Sequence, residues 1–503
     1  MTLAELRATL VIMAAVLLSY GSALLLEDAA HLHVDVVIQS VALSWTLAWT
    51  QRTADLTDRI VSLALLPLIA MAAAWTDSLM GEHSAAGDAV FVCAVSFSIW
   101  VRRFGPRATR AGTLAALPFV AILVVQGPIG HPASADPRDG HILWLAVVAL
   151  MAAAWVVVVQ VSAGLAGLGE PTAAPSAARK TGAGSGRARM LPSTRMALQM
   201  GVALGAAFAV GHLGYPDHWT WAVLTAFIVC SGARGRGDVV HKGLLRALGA
   251  ALGTVVATWI AGLFGPREPW AVVLIFVVLA LATWLRSLSY AYWAGCVTAA
   301  FSLLYGYFGQ TDAGLMRERL QAIVVGAAIG IVASWLIAPV RTVDVVRRRV
   351  ADALGALADV LGGQHGEHGE LADRARFDQA VELLGQIARP LEARRALSRH
   401  HRRTRTGPHL ADAIDAVRAC VDPLRTITGA AGPPDVAAVL ANITAVRLAI
   451  ARVSGPAYEP VRVRGEDEPA PAVRAVADID AALARIATVF PPTPPPPPWQ
   501  RGG

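Results

Sequence analysis

The chain has 503 residues, 55% of them hydrophobic and only 16% charged, with a mean hydropathy of +0.52. A soluble globular protein carries roughly 25% charged residues, and here the apolar residues gather in blocks about 20 long, enough to cross a hydrocarbon core about 30 Å thick. A soluble enzyme, a secreted disulfide scaffold and a disordered chain are excluded. The net charge of +7 is carried by arginine, since Lys180 and Lys242 are the only lysines. Arginine-rich loops are normal in membrane proteins, so the expected partner is the lipid bilayer and not nucleic acid.

In chain order, an early Arg7 and an apolar run without a small-residue cleavage site predict a retained first helix. Spans follow at 8–26, 34–50, 60–76, 88–101, 111–127 and 142–163, then at 196–213, 218–231, 243–264, 270–285, 289–308 and 320–338. The resulting fold class is all-α: a polytopic membrane protein of about twelve transmembrane helices with a cytoplasmic helical domain. Alternate loops concentrate arginine: Arg52 and Arg59; Arg102, Arg103, Arg107 and Arg110; Arg234, Arg236 and Arg246; Arg286; and Arg347 to Arg349. The positive-inside rule then puts both termini in the cytoplasm of a cell inner membrane.

An internal repeat runs at an offset of about 184, where Arg52 meets Arg236, Trp75 meets Trp259, Trp100 meets Trp284 and Arg102 meets Arg286. Two parallel six-helix halves with a path between them are expected. The expected domains are a first repeat at 1–165, a flexible linker at 166–192 and a second repeat at 193–340. A helical domain follows at 341–490, with Val346, Val350, Leu354, Leu357 and Leu361 at helical spacing, and then a Pro-rich tail at 491–503.

No G-x-x-x-x-G-K-[ST] phosphate loop, Ser/His/Asp arrangement or His/Cys ligand spacing occurs, so no enzyme activity, cofactor or metal is expected. Cys93, Cys230, Cys296 and Cys420 read as free thiols.

The stretch Tyr215 to Thr254 holds an aromatic-led helix, Trp219-Thr220-Trp221-Ala222-Val223-Leu224-Thr225, and downstream Arg246-x-x-Gly249-x-x-x-Gly253. Arg319 precedes Gly326-Ala327-Ala328-Ile329-Gly330. Together these resemble the fusaric-acid-resistance-like, or aromatic acid exporter, family of integral membrane transporters. The resemblance implies export of small organic, often aromatic, carboxylates driven by the proton gradient, with an accessory export subunit or a homo-oligomer as partner. Where family members often carry an acidic residue after the last-helix arginine, this chain has Gln321 and Ala322, which leaves the proton site open.

The candidate substrate path comprises the repeat-matched Arg52/Arg236 and Arg102/Arg286, then Arg246, Arg319, Trp219, Trp221, Thr225 and Tyr305. Guanidinium groups match carboxylates bidentately, and the rings offer stacking surfaces. Asp35 and Asp238, near span ends, are the candidate proton carriers. Topology setting and lipid contact explain the arginines equally well. An uncoupled anion channel and a membrane scaffold acting through residues 341–490 stand as alternatives.

Overall fold

The computed structural model describes residues 3–52, 54–129, 141–168, 191–232, 235–261, 265–310, 313–337, 342–363, 366–401, 408–429, 435–461 and 470–492. Most of the predicted linker (169–190) and of the Pro-rich tail (493–503) lies outside them. Among the described residues the structure is helical, with no strand. It divides into two compact units, one of residues 1–233 and 239–339, the other of 234–238 and 340–503.

The first unit contains twelve α-helices. They are α1 (Leu3–Ala30), α2 (Asp35–Thr50), α3 (Leu56–Glu82), α4 (Ser84–Trp100), α5 (Pro106–Ile129), α6 (His141–Leu165), α7 (Pro192–Gly214), α8 (Trp219–Cys230), α9 (Arg236–Ala261), α10 (Pro269–Leu285), α11 (Tyr290–Tyr307) and α12 (Ala313–Leu336). Helix is the natural state of such apolar blocks, because in lipid every backbone N–H and C=O must be satisfied within the segment. Local chemistry sets the ends. Asp55 caps α3 by accepting from the Asp58 N–H at 3.0 Å, Ser289 caps α11, and prolines open α7 and α10.

Eight of these helices are long and apolar enough to cross a membrane: α1, α3, α4, α5, α6, α7, α9 and α12. They display large apolar side chains outward, among them Leu25, Leu68, Leu252 and Trp259, as lipid-facing helices do. The chain is a multi-pass membrane protein. The remaining four are shorter or less apolar; α8, with 12 residues, is about 18 Å long and falls well short of the hydrocarbon core.

Asp35 opens α2 and Trp219 opens α8, while Pro106 opens α5 and Tyr290 opens α11, each pair at the spacing noted in the sequence. Packing follows suit: α4 lies against α7, and α10 lies against α1. One core joins Phe91 of α4 and Phe119 of α5 to Leu204 and Phe208 of α7 and Trp221 of α8. Another joins Met13 of α1 to Leu279 of α10 and Ala300 of α11.

The second unit contains α13 (Thr342–Gly362), α14 (Gly366–His401), α15 (Leu410–Arg418), α16 (Val421–Thr428), α17 (Ala437–Ala451) and α18 (Pro471–Val489). Its core collects Val346, Val350, Leu354 and Leu357 with Ile414, Ile443, Ile479 and Leu483. Within it, Asp480 accepts from the Asn442 amide at 2.8 Å, the Tyr458 hydroxyl at 2.8 Å and the Val461 N–H at 2.8 Å. Outside that core, Arg395 donates to Asp412 at 3.0 Å and to Asp415 at 2.7 Å; Asp415 in particular holds its guanidinium proton more firmly than usual.

Candidate functional site

Glycines on three helices bring the site together. A Cβ at Gly249 of α9 would stand 2.5 Å from the Ala291 carbonyl of α11, and one at Gly253 would overlap the Gly295 carbonyl. On α12, a Cβ at Gly326 would overlap the Ala222 carbonyl of α8. Backbones this close leave little room between helices, and the long side chains that remain are forced inward.

Two of those side chains are arginines. Arg246 of α9 is fully buried and Arg319 of α12 is 2% exposed, which makes them the largest fully buried side chains among the described residues. Arg319 donates from Nη2 to the Thr298 carbonyl of α11 at 2.8 Å. Its Cζ lies 4.3 Å from the Trp221 ring centroid and 5.4 Å from that of Tyr305. The Trp221 indole donates to the Tyr305 hydroxyl at 2.9 Å, which fixes both rings as a wall beside the cation. Arg319 Nε and Nη1 have no hydrogen-bond partner, and neither does any guanidinium nitrogen of Arg246. The Arg246 charge is felt at Arg319 as repulsion. Among the described residues no carboxylate pairs with either.

This arrangement costs energy. An uncompensated charge in a low-dielectric interior carries a penalty of several kcal/mol, and at mid-membrane roughly 3 kcal/mol for arginine on insertion scales. Further unpartnered groups point the same way: Thr225 Oγ1, one turn after Trp221 on α8, and Thr298 Oγ1 on α11 are both fully buried without a hydrogen bond. Hydroxyls and guanidinium N–H groups together form a donor set for an anion.

From Arg246 the polar groups continue toward the C-terminal end of α2. The Tyr290 hydroxyl lies within electrostatic reach of both Arg246 and Arg286 and has no hydrogen-bond partner. Arg286 stands over the Trp49 ring at 4.5 Å and over Trp293 at 5.4 Å, while Arg52 stands over Trp49 at 4.9 Å. Trp45 stacks on Trp293 with centroids 6.4 Å apart and donates to Thr283 at 2.8 Å. Lys242 completes the group over the Tyr290 ring at 5.6 Å.

The segment that builds this site is also the one that finds relatives. Residues 202–333 match the fusaric acid resistance protein-like family. The family resemblance read from Trp219–Thr225, Arg246 and Arg319 is thereby borne out. The chain is also 34% identical over 177 residues to the p-hydroxybenzoic acid efflux pump subunit AaeB of Enterobacter cloacae, a match covering 32% of this chain. The chain spans 26% of the length of that relative. The fusaric-acid-resistance-like segment runs from α7 into α12 and therefore contains Trp221, Thr225, Arg246, Thr298, Tyr305 and Arg319.

The structure sorts the predicted residues. Arg319, Trp221 and Tyr305 come together, with Arg246 in electrostatic reach and Thr225 on the same α8 face as Trp221. Arg52 and Arg286 come together over Trp49. Arg102 sits in a short 3-10 turn (Val101–Phe104) against Gly112, and Arg236 opens α9 and groups with the second unit. Trp219 turns to His212, with ring centroids 4.8 Å apart, because residues two apart on a helix face different ways. Asp35 pairs with His33 at 3.4 Å; it opens α2, about 21 Å along the axis from Trp49. Asp238 lies about 12 Å along α9 from Arg246.

Sequence reasoning missed Trp49, Tyr290, Trp293 and Thr298 as members of this group. The usable signal was the density of aromatics at the start of α11, Tyr290-Ala291-Tyr292-Trp293, beside an arginine at the end of α10.

Proposed function

We propose that the chain is a secondary membrane exporter of small organic carboxylate anions, aromatic ones included, driven by the proton gradient. The carrying observation is the pair of buried arginines without an acid: Arg246 with every guanidinium nitrogen unpartnered and Arg319 with two. A carboxylate seated there takes up the free N–H groups and neutralises the charge. The Trp221 and Tyr305 rings supply a flat apolar side for an aromatic body.

The cluster of Arg52, Arg286 and Lys242 around Trp49, Trp293 and Tyr290 serves as the entrance. Its arginines belong to the basic loop set, so it faces the cytoplasm, with both termini on that side. Twelve crossings in two six-helix repeats accommodate this arrangement, and the recurrence of helix starts and of the α4–α7 and α10–α1 packing supports it. The relative's description as an efflux pump subunit supports outward movement and a partner component.

The test is solid-supported-membrane electrophysiology on proteoliposomes with benzoate-like and aliphatic carboxylates, with and without a pH gradient. A substrate-dependent current that responds to the gradient and is absent in Arg319→Ala supports the reading. A sustained current indifferent to the gradient makes the chain an anion channel. No current from folded protein with any carboxylate overturns it.

A further inference from the structure

A second polar pair lies beside the first turn of α8. Asp88, in the first turns of α4, meets His212, in the last turn of α7, with Oδ2 to Nε2 at 2.9 Å. Both side chains are shielded, Asp88 at 14% exposure and His212 at 35%. The second carboxylate oxygen, Oδ1, is buried with no hydrogen bond. The pair joins residues 124 positions apart and bridges the helices through which the two six-helix segments meet.

The surroundings leave the proton to these two groups. Facing them, α7 brings His212, the charged group acting on Asp88. From α3, Met80 closes on Gly87, and from α5, Phe119 reaches Phe91, one turn below Asp88. The start of α8 brings Trp219, tilted against the His212 ring at 4.8 Å, and Phe208 stacks on the imidazole at 6.1 Å. His218, just before α8, lies in the field of Asp217, Glu318 and Arg319.

Helix α8 connects this pair to the arginines. It has 12 residues, of which Thr220 to Ala226 are all buried. Trp219 at its start touches His212, and Trp221 two residues later carries Arg319. A displacement of the first tryptophan is passed to the second.

We propose that Asp88 and His212 form a proton-binding site that sets the anion affinity of the Arg246–Arg319 site through α8. This rests on the anion-site reading above. With His212 protonated the pair is a neutral-sum ion pair holding α4 to α7. With the imidazole neutral, a net negative carboxylate remains in the interior, which disfavours a second anion. By linkage, anion binding raises the proton affinity of the pair by the same factor, so the pair tunes the affinity of the anion site and is not the group that exchanges a proton for the exported anion.

The experiment measures benzoate affinity of the purified full chain at pH 6 and pH 8, where benzoate is ionised throughout, for wild type, His212→Gln and Asp88→Asn. His212→Gln keeps an N–H donor toward Asp88 and so decides the matter if Asp88→Asn does not fold. Wild type is expected to bind at least threefold tighter at pH 6, and both variants to bind with no pH dependence. A variant that retains the wild-type pH profile overturns the proposal. A second readout needs no anion: hydrogen exchange of the first turns of α4 and last turns of α7, corrected for intrinsic rate. Protection that falls from pH 6 to pH 8 in wild type but not in His212→Gln supports the proton site even if no anion binds, in which case the arginine-site reading alone fails. Equal protection profiles in the two proteins overturn the proton site.

Discussion

Arg319 lies with its Cζ 4.3 Å from the centroid of the Trp221 ring, and the same indole donates to Tyr305 at 2.9 Å. The cation is thus held on one side by an aromatic face whose orientation is locked, while Nε and Nη1 on its other edge have nothing to bond. A purely structural arginine in a membrane interior would have found carbonyls or an acid for those groups. Here one carbonyl, that of Thr298, takes a single N–H, and the rest of the donor set stays open.

That openness makes stability and binding move in opposite directions. Replacing Arg246 by Met removes an unpaired buried charge and keeps most of the volume, so the ligand-free protein in detergent should melt higher, by an amount reflecting up to about 3 kcal/mol. Carboxylate binding should fall by at least tenfold, the loss of about 1.5–3 kcal/mol for a charged hydrogen bond. A lower Tm with unchanged binding would make Arg246 a structural residue. Thermal melts with and without benzoate give both numbers.

The aromatic wall gives a smaller, graded effect. Trp221→Phe weakens the ring's hold on the cation and leaves the Tyr305 hydroxyl without its donor. A cation–π contact is worth roughly 0.5–2 kcal/mol, so benzoate affinity should drop about three- to tenfold. Acetate, which has no ring to stack, should lose less. Isothermal titration of the two anions compares them directly.

Glycine positions separate close contact from open surface. Gly249→Ala forces a Cβ to within 2.5 Å of the Ala291 carbonyl; the backbone has to move, at about 1–3 kcal/mol, and the Arg246 side chain moves with α9. Gly205→Ala, where nothing lies within 4 Å, should leave Tm unchanged or slightly raised. Detergent melting curves of both variants are the check.

Alkaline pH acts on the second unit. Burial, then the hydrogen bond and charge of Asp480, holds the Tyr458 hydroxyl above its ordinary range. Its folded-state value is raised, so its contribution is fully present below about pH 10 and is lost as pH rises through the folded value. Cys420 sits in the same core, with burial pushing its thiol up to about 12, and reports local opening through its alkylation rate. Tyr458→Phe should raise that rate at pH 8, reflecting about 1 kcal/mol, and should flatten the further rise seen in wild type above pH 10.

Much of this chain is legible in one dimension. The block length of the apolar runs dictates membrane helices, and Arg246 and Arg319 stand out because a permanent charge inside an apolar helix is expensive wherever the chain goes. Trp221 and Tyr305 were legible as aromatics near those charges. Trp219 was equally conspicuous in the sequence, yet it faces His212, since the helical period carries i and i+2 to different neighbours. Arg52 and Arg286 were matched in the sequence to Arg236 and Arg102 by position alone, whereas their meeting over Trp49 follows from packing, since side chains of α2 meet those of α10 and α11.

What the sequence determined by itself is therefore composition-level and local: a helical membrane protein, and two arginines at the edges of apolar helices. Whether those charges would be paired is not a property of any local window. Only the tertiary structure decided it, because burial and pairing depend on which distant helices arrive. Here Gly249 and Gly253 let α9 close on α11, and Gly326 lets α12 close on α8, so that an indole, a carbonyl and another arginine reach the cations and, among the described residues, no acid does.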